Sequence, residues 1–296
     1  MNIRTLLAAS ALPAAEARTI VSLLLCSSTR RARQAIPYKE ARDRLQKRFQ
    51  SALVRVLKFA KHETLRKLHR FMYVRRPLHG QDAADNPDAA KIAFDREQLR
   101  QDLLEMLRTQ LPGAVQSVAD ETLDSLGYAD PWKVPAQATL NLLTQRENLI
   151  SGVPDEIFED IMKEIDEGLS QGESVDQLAH RISAAFDEIM DQRAELIAQT
   201  ETAAAYGFAS NAAAAQAGVQ FKQWIHSGLP KEPRPDHLDI DGLIVPMDEP
   251  YPVGDPPLMY PHDPDGSAED VINCGCISIP ATAEDYAAQE GEEEAA

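Results

Sequence analysis

Apolar residues at helical spacing dominate the first two thirds of the chain. In residues 40–73 apolar side chains recur at multiples of three or four with basic residues between them, which predicts one long amphipathic helix with a basic outer face. Its apolar positions are Leu45, Phe49, Val56, Ala60, Leu68 and Met72. The same spacing predicts helices over residues 92–111, 120–126 and 139–149, with Pro112-Gly113 ending the first of these.

The most regular helical pattern lies in the middle of the chain. Isoleucines at i, i+4 spacing predict a helix that ends at Gly168 or Gly172. Ser174 and Gln177 form a capping box that starts the next helix. The predicted buried faces are Ile157, Ile161 and Ile165 in the first helix and Leu178, Ile182, Phe186 and Ile189 in the second. An Ala-rich helix is then predicted over residues 191–217.

After Gly218 the composition changes. Residues 230–264 hold 10 of the 19 prolines, and helical periodicity ends. Short strand-like runs remain at residues 219–225, 243–245 and 274–279. The prediction is an α+β protein, with predominantly helical N-terminal and middle regions and a compact, loop-rich, β-containing C-terminal lobe.

These patterns also predict where the segments of the chain begin and end. Residues 77–90 are rich in Pro, Gly, Asp and Asn, which favours a linker. The last residues, AAQEGEEEAA, predict a disordered acidic tail. The segments are a basic helical arm (1–76), the linker (77–90), a helical region (91–153), a C-terminal domain (154–280) and the tail (281–296).

Charge divides the chain more sharply than its total suggests. The net charge is −17, but residues 1–80 carry 18 Lys/Arg and 4 Asp/Glu, or +14, which leaves −31 on residues 81–296. Such asymmetry indicates partners of two kinds. The basic arm is either a solvated helix that packs on its neighbour or a contact surface for nucleic acid or an acidic protein. The candidate contact residues are Arg30, Arg31, Arg33, Arg42, Arg44, Lys47, Arg48, Arg55, Lys58 and Lys61.

Cysteine usage and the N-terminus indicate a protein made in a reducing compartment. Three cysteines cannot form a disulfide framework. The chain begins somewhat like a signal peptide, but Glu16 and Arg18 interrupt the apolar run. The remaining run is too short to span a bilayer, so we expect an amphipathic helix and no membrane span.

Common catalytic motifs are absent from the sequence. It has no Gly-rich phosphate loop, no GxSxG and no HExxH. Glu201 is placed on the apolar side of the Ala-rich helix by its spacing from Ile197 and Ala198. It is either a structural anchor, bonded to an Arg or to backbone amides of the lobe, or a general base with a raised pKa.

Two polar clusters in the lobe suggest metal chemistry. They are residues 234–242, RPDHLDIDG, and residues 273–276, NCGC. In a strand Cys274 and Cys276 would project from the same face, so that both thiolates could reach one zinc ion together with His237. A further ligand could come from His226, His262 or Asp241. The alternative is two buried thiols that pack as small apolar groups, and no other cofactor is expected.

Five motifs over residues 155–280 resemble, in order and spacing, the phage Mu F-like minor head protein family, also known as the phage head morphogenesis domain. They are RAELIAQTETAAAYGFASN, KQWIHSG, RPDHLDIDG, YPVGDPPLMYPHDP and EDVINCGC. The family's motif positions fall on Ile197, Ala198, Thr200, Glu201, Trp224, Arg234, His237, Asp241, Gly242, Asn273, Cys274 and Cys276. The chain departs from the family at Gln199 and Gly275, where the family often has Arg.

The resemblance implies a non-enzymatic minor structural protein in the head of a tailed double-stranded DNA phage or prophage. Its expected partners are the portal protein, other head proteins and packaged DNA bound through the basic arm, and its expected roles are head morphogenesis and DNA packaging or delivery. Its expected location is the virion, with the host cytoplasm during assembly. The resemblance leaves an alternative, an ADP-ribosyltransferase-like fold acting as an enzyme or toxin module.

Overall fold

The computed structural model describes residues 29–74, 93–133, 136–226 and 234–293. In chain order its elements are α1 (Thr29–Val74), α2 (Arg96–Ser125), α3 (Ala136–Ile150), α4 (Val153–Ser170), α5 (Val175–Gln216), β1 (Phe221–Ile225), α6 (Pro235–Asp239), β2 (Ile244–Pro246), α7 (Ala268–Val271), β3 (Ile277–Ala281) and α8 (Ala283–Glu293). The α+β class is therefore confirmed. The predicted N-terminal helix and the linker at 77–90 lie outside the described residues.

The chain folds into two compact units, and each combines segments that are distant in the sequence. One unit comprises the described residues of Met1–Leu45, Gly113–Val134 and Thr200–Ala296, and the other those of Gln46–Pro112 and Pro135–Gln199. Helices α1, α2 and α5 contribute residues to both units. No helix in the described part of the chain is both long enough and apolar enough to cross a membrane.

The second unit is an all-helical core whose local predictions largely hold. The isoleucine face of α4 and the Leu178–Ile189 face of α5 are buried as predicted. The capping box is also confirmed, since Ser174 and Gln177 each bond the other's backbone N–H. Helix α4 ends just before Gly172, whose φ of +67° is the left-handed conformation that glycine tolerates best.

The buried face of α1 differs in part from the one predicted. Leu45, Phe49 and Leu68 are buried as expected, but Leu53 and Leu57 complete the face. Val56 and Ala60, which were predicted to be part of it, are only half-buried. The buried residues therefore recur at i, i+4 through the middle of the helix, a spacing that keeps one stripe of the surface against its neighbours.

Two predicted helix breaks are wrong. Helix α2 passes through Pro112 and joins the predicted helices at 92–111 and 120–126. Pro112 is exposed, and the buried Leu111 and Val115 on either side of it keep the apolar face continuous, which offsets the lost backbone hydrogen bond. Helix α5 likewise joins the helix that begins at Ser174 to the Ala-rich helix, because no residue near Asp191 ends it.

The three short strands form an antiparallel sheet in the order β2-β1-β3. Phe221 pairs with Pro246 on one side and with Ala281 on the other, so β1 is central. Pro246 and Pro280 lie on the two edge strands, where a missing backbone N–H costs least. Each strand overlaps a run that the sequence predicted, but β3 begins three residues later than expected, and all three strands lie in the first unit.

The disorder predicted for the acidic tail is wrong for residues 283–293, which form α8. Gln289 binds both the backbone N–H and the carbonyl of Ile244 on the outer strand β2, at 2.7 and 3.1 Å. Tyr286 stacks on Phe221 with ring centroids 4.4 Å apart. These contacts hold α8 against the sheet. The acidic composition of the segment does not predict them.

Small residues on α5 let the C-terminal lobe, residues 219–293, approach the helix backbone closely. Ala203, Ala204, Ala205, Ala209 and Ala213 are all buried there. At Gly207 a Cβ atom would collide with the backbone carbonyl of Pro261 and lie 2.9 Å from the Tyr260 ring. The absence of a side chain at Gly207 therefore sets how closely the loop before Asp263 can pack.

We expect Gly207→Ala to lower the free energy of unfolding by about 1–3 kcal/mol, because a rigid backbone carbonyl must move to admit the methyl group. Gly113→Ala is the matched control, since Gly113 is also helical and has no atom within 4 Å of the added Cβ. The control should be neutral or stabilising by up to about 1 kcal/mol. Urea denaturation of both variants measures this, and equal losses at the two sites would contradict the argument.

Candidate metal centre

Two separate segments of the lobe bring histidine and cysteine side chains together. His237 lies on the short helix α6, and Cys274 and Cys276 lie in the segment just before β3. The prediction that the two cysteines lie in a strand is therefore wrong. The loop geometry nevertheless directs both thiols at the same ring, because Asn273 takes a left-handed φ of +56° immediately before them.

The two sulfur atoms are nearly equidistant from one ring nitrogen. The Nδ1 atom of His237 lies 3.5 Å from Sγ of Cys274 and 3.7 Å from Sγ of Cys276. Ligand atoms of all three residues lie within 4.8 Å of one another, and all three side chains are buried. The structure thus assembles the three residues predicted as a metal site.

The surroundings of the two thiols favour one thiolate. The hydrogen bond from Cys276 is the main cause of a lowered pKa at Cys274, and the nearby rings of His262 and His237 add to it. The same contact with Cys274, together with burial, raises the pKa of Cys276. The backbone N–H of Cys276 also donates to Sγ of Cys274 at 3.4 Å, which stabilises negative charge on that sulfur.

Aromatic rings enclose the centre. Trp224 is fully buried and meets His237 edge-on, with centroids 5.3 Å apart. Tyr251 packs on the same indole at 5.1 Å, and its hydroxyl bonds Oγ of Ser278 at 2.8 Å. The two cysteines belong to this buried cluster, which excludes water from the thiols and orients the imidazole.

Two arginines hold the backbone on either side of Cys274. Arg42 donates to the carbonyl of Gly275 at 2.8 Å, and Arg234 donates to the carbonyl of Ile272 at 2.8 Å. Arg42 is only 4% exposed, so its prediction as a contact residue for DNA or an acidic partner is wrong. It places a cation beside Gly275, the position where the family often has Arg.

The remaining lobe motif residues have structural roles. The Asp241 carboxylate accepts from the backbone N–H of His226 at 2.7 Å. Gly242 has a φ of +92° and donates its N–H to the carbonyl of Trp224. Asp239 is exposed. Asp241 and Gly242 shape the turn that precedes β2, and no metal-ligand group that the structure brings together in its described part contains His226 or Asp241.

On α5, Thr200 and Glu201 are 7% and 4% exposed. The prediction that Glu201 faces the buried side of this helix is confirmed. Its role as an anchor or as a general base stays a prediction. Both residues begin the part of α5 that belongs to the same unit as the lobe.

The basic residues of α1 divide into paired and exposed groups. Lys61 forms an ion pair with Asp187 at 2.6 Å, and Arg44 lies 3.6 Å from Glu121. Four other candidate contact residues, Lys47, Arg48, Arg55 and Lys58, are exposed and form no ion pair with the described residues. The side chains of Arg30, Arg31 and Arg33 lie outside the described residues.

Lys222 is a buried charge that the sequence analysis missed. Its Nζ donates to the carbonyl of Met259 at 2.7 Å and lies 5.3 Å from the centre of the Tyr251 ring. Burial lowers the pKa of Lys222 to about 8, although the Asp263 charge opposes the shift. The alternation of a strand places Lys222 on the same face as Trp224, a sequence feature that could have identified it.

The pKa of Lys222 predicts a pH dependence. The unfolded lysine titrates near 10.5, so between pH 8 and 10.5 the unfolded chain binds more protons and this group makes the free energy of unfolding rise with pH. The free energy of unfolding of the wild type, relative to that of Lys222→Met, should therefore increase by on the order of 1–3 kcal/mol over that range. Urea denaturation at several pH values measures it.

The exposed Lys163 supplies the control for this measurement. Lys163→Met should differ from the wild type by an amount that does not change with pH, because the expected pH dependence comes from the burial of Lys222. A pH-independent difference for Lys222→Met would contradict the buried-charge interpretation.

Comparison with known proteins finds a similarity over α4, α5 and most of the lobe. Residues 159–279 match the family model described as phage Mu protein F like protein. Uncharacterized protein YqbB of Bacillus subtilis (strain 168) is 28% identical over 195 residues, which cover 63% of each chain, so this chain spans less than two thirds of that relative. No solved structure matches. The matched segment contains every lobe motif residue described above, and residues 159–279 are similar to the phage Mu F-like family.

Proposed function

We propose that this chain is a non-enzymatic minor head protein of a tailed double-stranded DNA phage or prophage. It associates with the portal and acts in head morphogenesis and in DNA packaging or delivery. It resides in the virion and, during assembly, in the host cytoplasm. The observation that carries this proposal is the family match over residues 159–279.

The burial of the motif residues supports a structural role. His237 and Glu201 are 2% and 4% exposed, so neither side chain presents an accessible reactive atom. A cavity of about 490 Å³ in the same unit is lined by residues that include Thr122, Tyr206 and Thr282, but by neither Glu201 nor His237. A catalytic group must reach its substrate, and these two groups point into packed protein instead.

The charge distribution supports partners of two kinds. The strongly acidic part of the chain, residues 81–296, would be repelled by packaged DNA and should lie against protein. Helix α1 carries exposed cations that have no ion pair among the described residues, which suits contact with phosphates or with an acidic head protein. Both surfaces fit a protein that lies between the head shell and its contents.

Particle composition tests the head assignment. Heads should be produced from the full set of head genes of the encoding phage or prophage, with and without the portal gene, and purified by sedimentation. We expect this chain at a few copies per particle by quantitative immunoblotting, and we expect its loss when the portal is omitted. A non-structural protein from the same lysate controls for contamination.

The two parts of the proposal can fail separately. Absence of the chain from complete heads would contradict a role as a head protein. Its presence at undiminished levels in particles that lack the portal would contradict the portal association alone.

DNA contact by α1 predicts a salt-sensitive, sequence-independent affinity. Binding of the full chain to duplex DNA should fall steeply between about 50 and 200 mM salt, because bound cations release counterions from phosphates. Replacing Arg48 and Arg55 with Gln should reduce the slope of log K against log salt by about 2. Fluorescence anisotropy with a labelled duplex measures this.

The matched control replaces Lys133 and Lys163 with Gln, which changes net charge equally at exposed sites outside α1. The control should leave the slope almost unchanged. An equal loss in both variants would show that overall charge, rather than α1, governs binding. No binding by the wild type at the lowest salt would contradict DNA contact.

A further inference from the structure

We propose that His237, Cys274 and Cys276 bind one structural zinc ion and are its three protein ligands. The three side chains are between 1% and 3% exposed, and one ligand atom of each lies within 4.8 Å of the other two. No other residue in the described part of the chain belongs to this group. The proposal concerns the stability of the lobe and does not depend on the proposed function in the phage head.

The distances between the donor atoms suit a shared metal ion. Zinc bonds sulfur at about 2.3 Å and nitrogen at about 2.0–2.1 Å, so tetrahedral angles place the two kinds of donor about 3.5 Å apart. Nδ1 of His237 lies 3.5 Å from Sγ of Cys274 and 3.7 Å from Sγ of Cys276. One lone pair on this nitrogen can accept only one thiol proton, whereas an ion between the three atoms bonds both sulfurs.

The groups around the two sulfurs stabilise negative charge, which suits zinc ligands because cysteine binds metal as the thiolate. The backbone N–H of Cys276 donates to Sγ of Cys274 at 3.4 Å. Arg42, which is 4% exposed, places its guanidinium against the carbonyl of Gly275 between the two cysteines. The charge of Arg42 and the indole of Trp224 both act to lower the pKa of Cys276, against burial and the contact with Cys274. A zinc ion would supply the further positive charge that a second buried thiolate needs.

The surroundings of His237 fix the orientation of its imidazole. Trp224 meets the ring edge-on, with centroids 5.3 Å apart. Carboxylate atoms of Asp236 and Asp270 lie within 4.8 Å of a ring nitrogen of His237. Histidine ligands of zinc usually donate their second ring N–H to a carboxylate, a carbonyl or water. Nδ1 is directed at the sulfurs, and Nε2, which is buried without a hydrogen bond, is left for such a partner.

The donor set favours zinc, and its burial favours a structural role. Two thiolates and one imidazole suit Zn²⁺, and a water molecule completes the tetrahedral coordination. The cavity of about 490 Å³ in the same unit is lined by none of the three ligand residues. Since the ligand side chains are also buried, the ion would be shielded from a substrate and would act on stability rather than on a reaction.

The ion would tie together two segments that strand pairing does not connect in the described part of the lobe. These are the helix α6 and the segment that carries the cysteines just before β3. The sheet beside them has three strands of at most five residues. A metal bound only by the folded lobe adds its binding free energy to the stability of that arrangement.

Metal analysis of the tag-free full chain, purified without chelator, tests the proposal. We expect about one zinc per chain by mass spectrometry. X-ray absorption should show two sulfur ligands at about 2.3 Å, the multiple scattering of one imidazole and one oxygen ligand. Zinc below about 0.2 per chain would overturn the site. A shell with two imidazoles, or with fewer than two sulfurs, would overturn the assignment of the three ligands.

Matched variants test the ligands one at a time. His237→Asn and Cys276→Ser should each weaken zinc binding by at least about tenfold in competition with a chromophoric chelator, since loss of even an outer contact costs about 10–100-fold. His226→Asn removes another histidine of the lobe and should leave the affinity unchanged. Unchanged affinity in either ligand variant, or an equal loss in His226→Asn, would contradict the proposal. If the ligand variants do not fold, the X-ray absorption of the wild type decides.

Discussion

The C-terminal lobe depends on the burial of Trp224. Its indole is fully buried between His237 and Tyr251. Its backbone bonds the turn before β2 twice, since its N–H donates to the carbonyl of Leu243 and its carbonyl accepts from the N–H of Gly242. One residue of the central strand thereby fixes the turn, the short helix α6 and the aromatic wall around the cysteines. The lobe has little regular secondary structure, so its loops cannot pair their backbone N–H and carbonyl groups along extended strands. A buried side chain such as Trp224 holds these loops together instead.

The same lobe buries an unusual number of polar groups, and backbone carbonyls satisfy several of them. Arg42 donates to Gly275, Arg234 to Ile272 and Lys222 to Met259. Other buried atoms in the described part of the lobe have no hydrogen bond, and they include Nε1 of Trp224, Nε2 of His237 and both ring nitrogens of His262. The rings of His237 and Trp224 meet edge-on beside the two thiols.

The burial of the motif residues fits the non-enzymatic role that we propose for this chain. The motif residues over 159–279 build and stabilise a lobe, and its reactive side chains face inward. Contacts with other molecules are left to the surfaces of the chain, where charge is unevenly distributed. Basic residues of helix α1 have two different environments. Arg42 is buried and stabilises the lobe, whereas Arg48 is exposed.

Local sequence determined most of the helix faces, the capping box at Ser174 and the approximate positions of the strands, since each depends on residues close in the chain. Tertiary structure alone decided that α2 continues through Pro112, that the acidic tail is helical and that Arg42 is buried. Arg42 meets Gly275 across 233 positions of sequence. Periodicity states which side of a segment is buried, but the partner that covers it depends on how distant segments pack together.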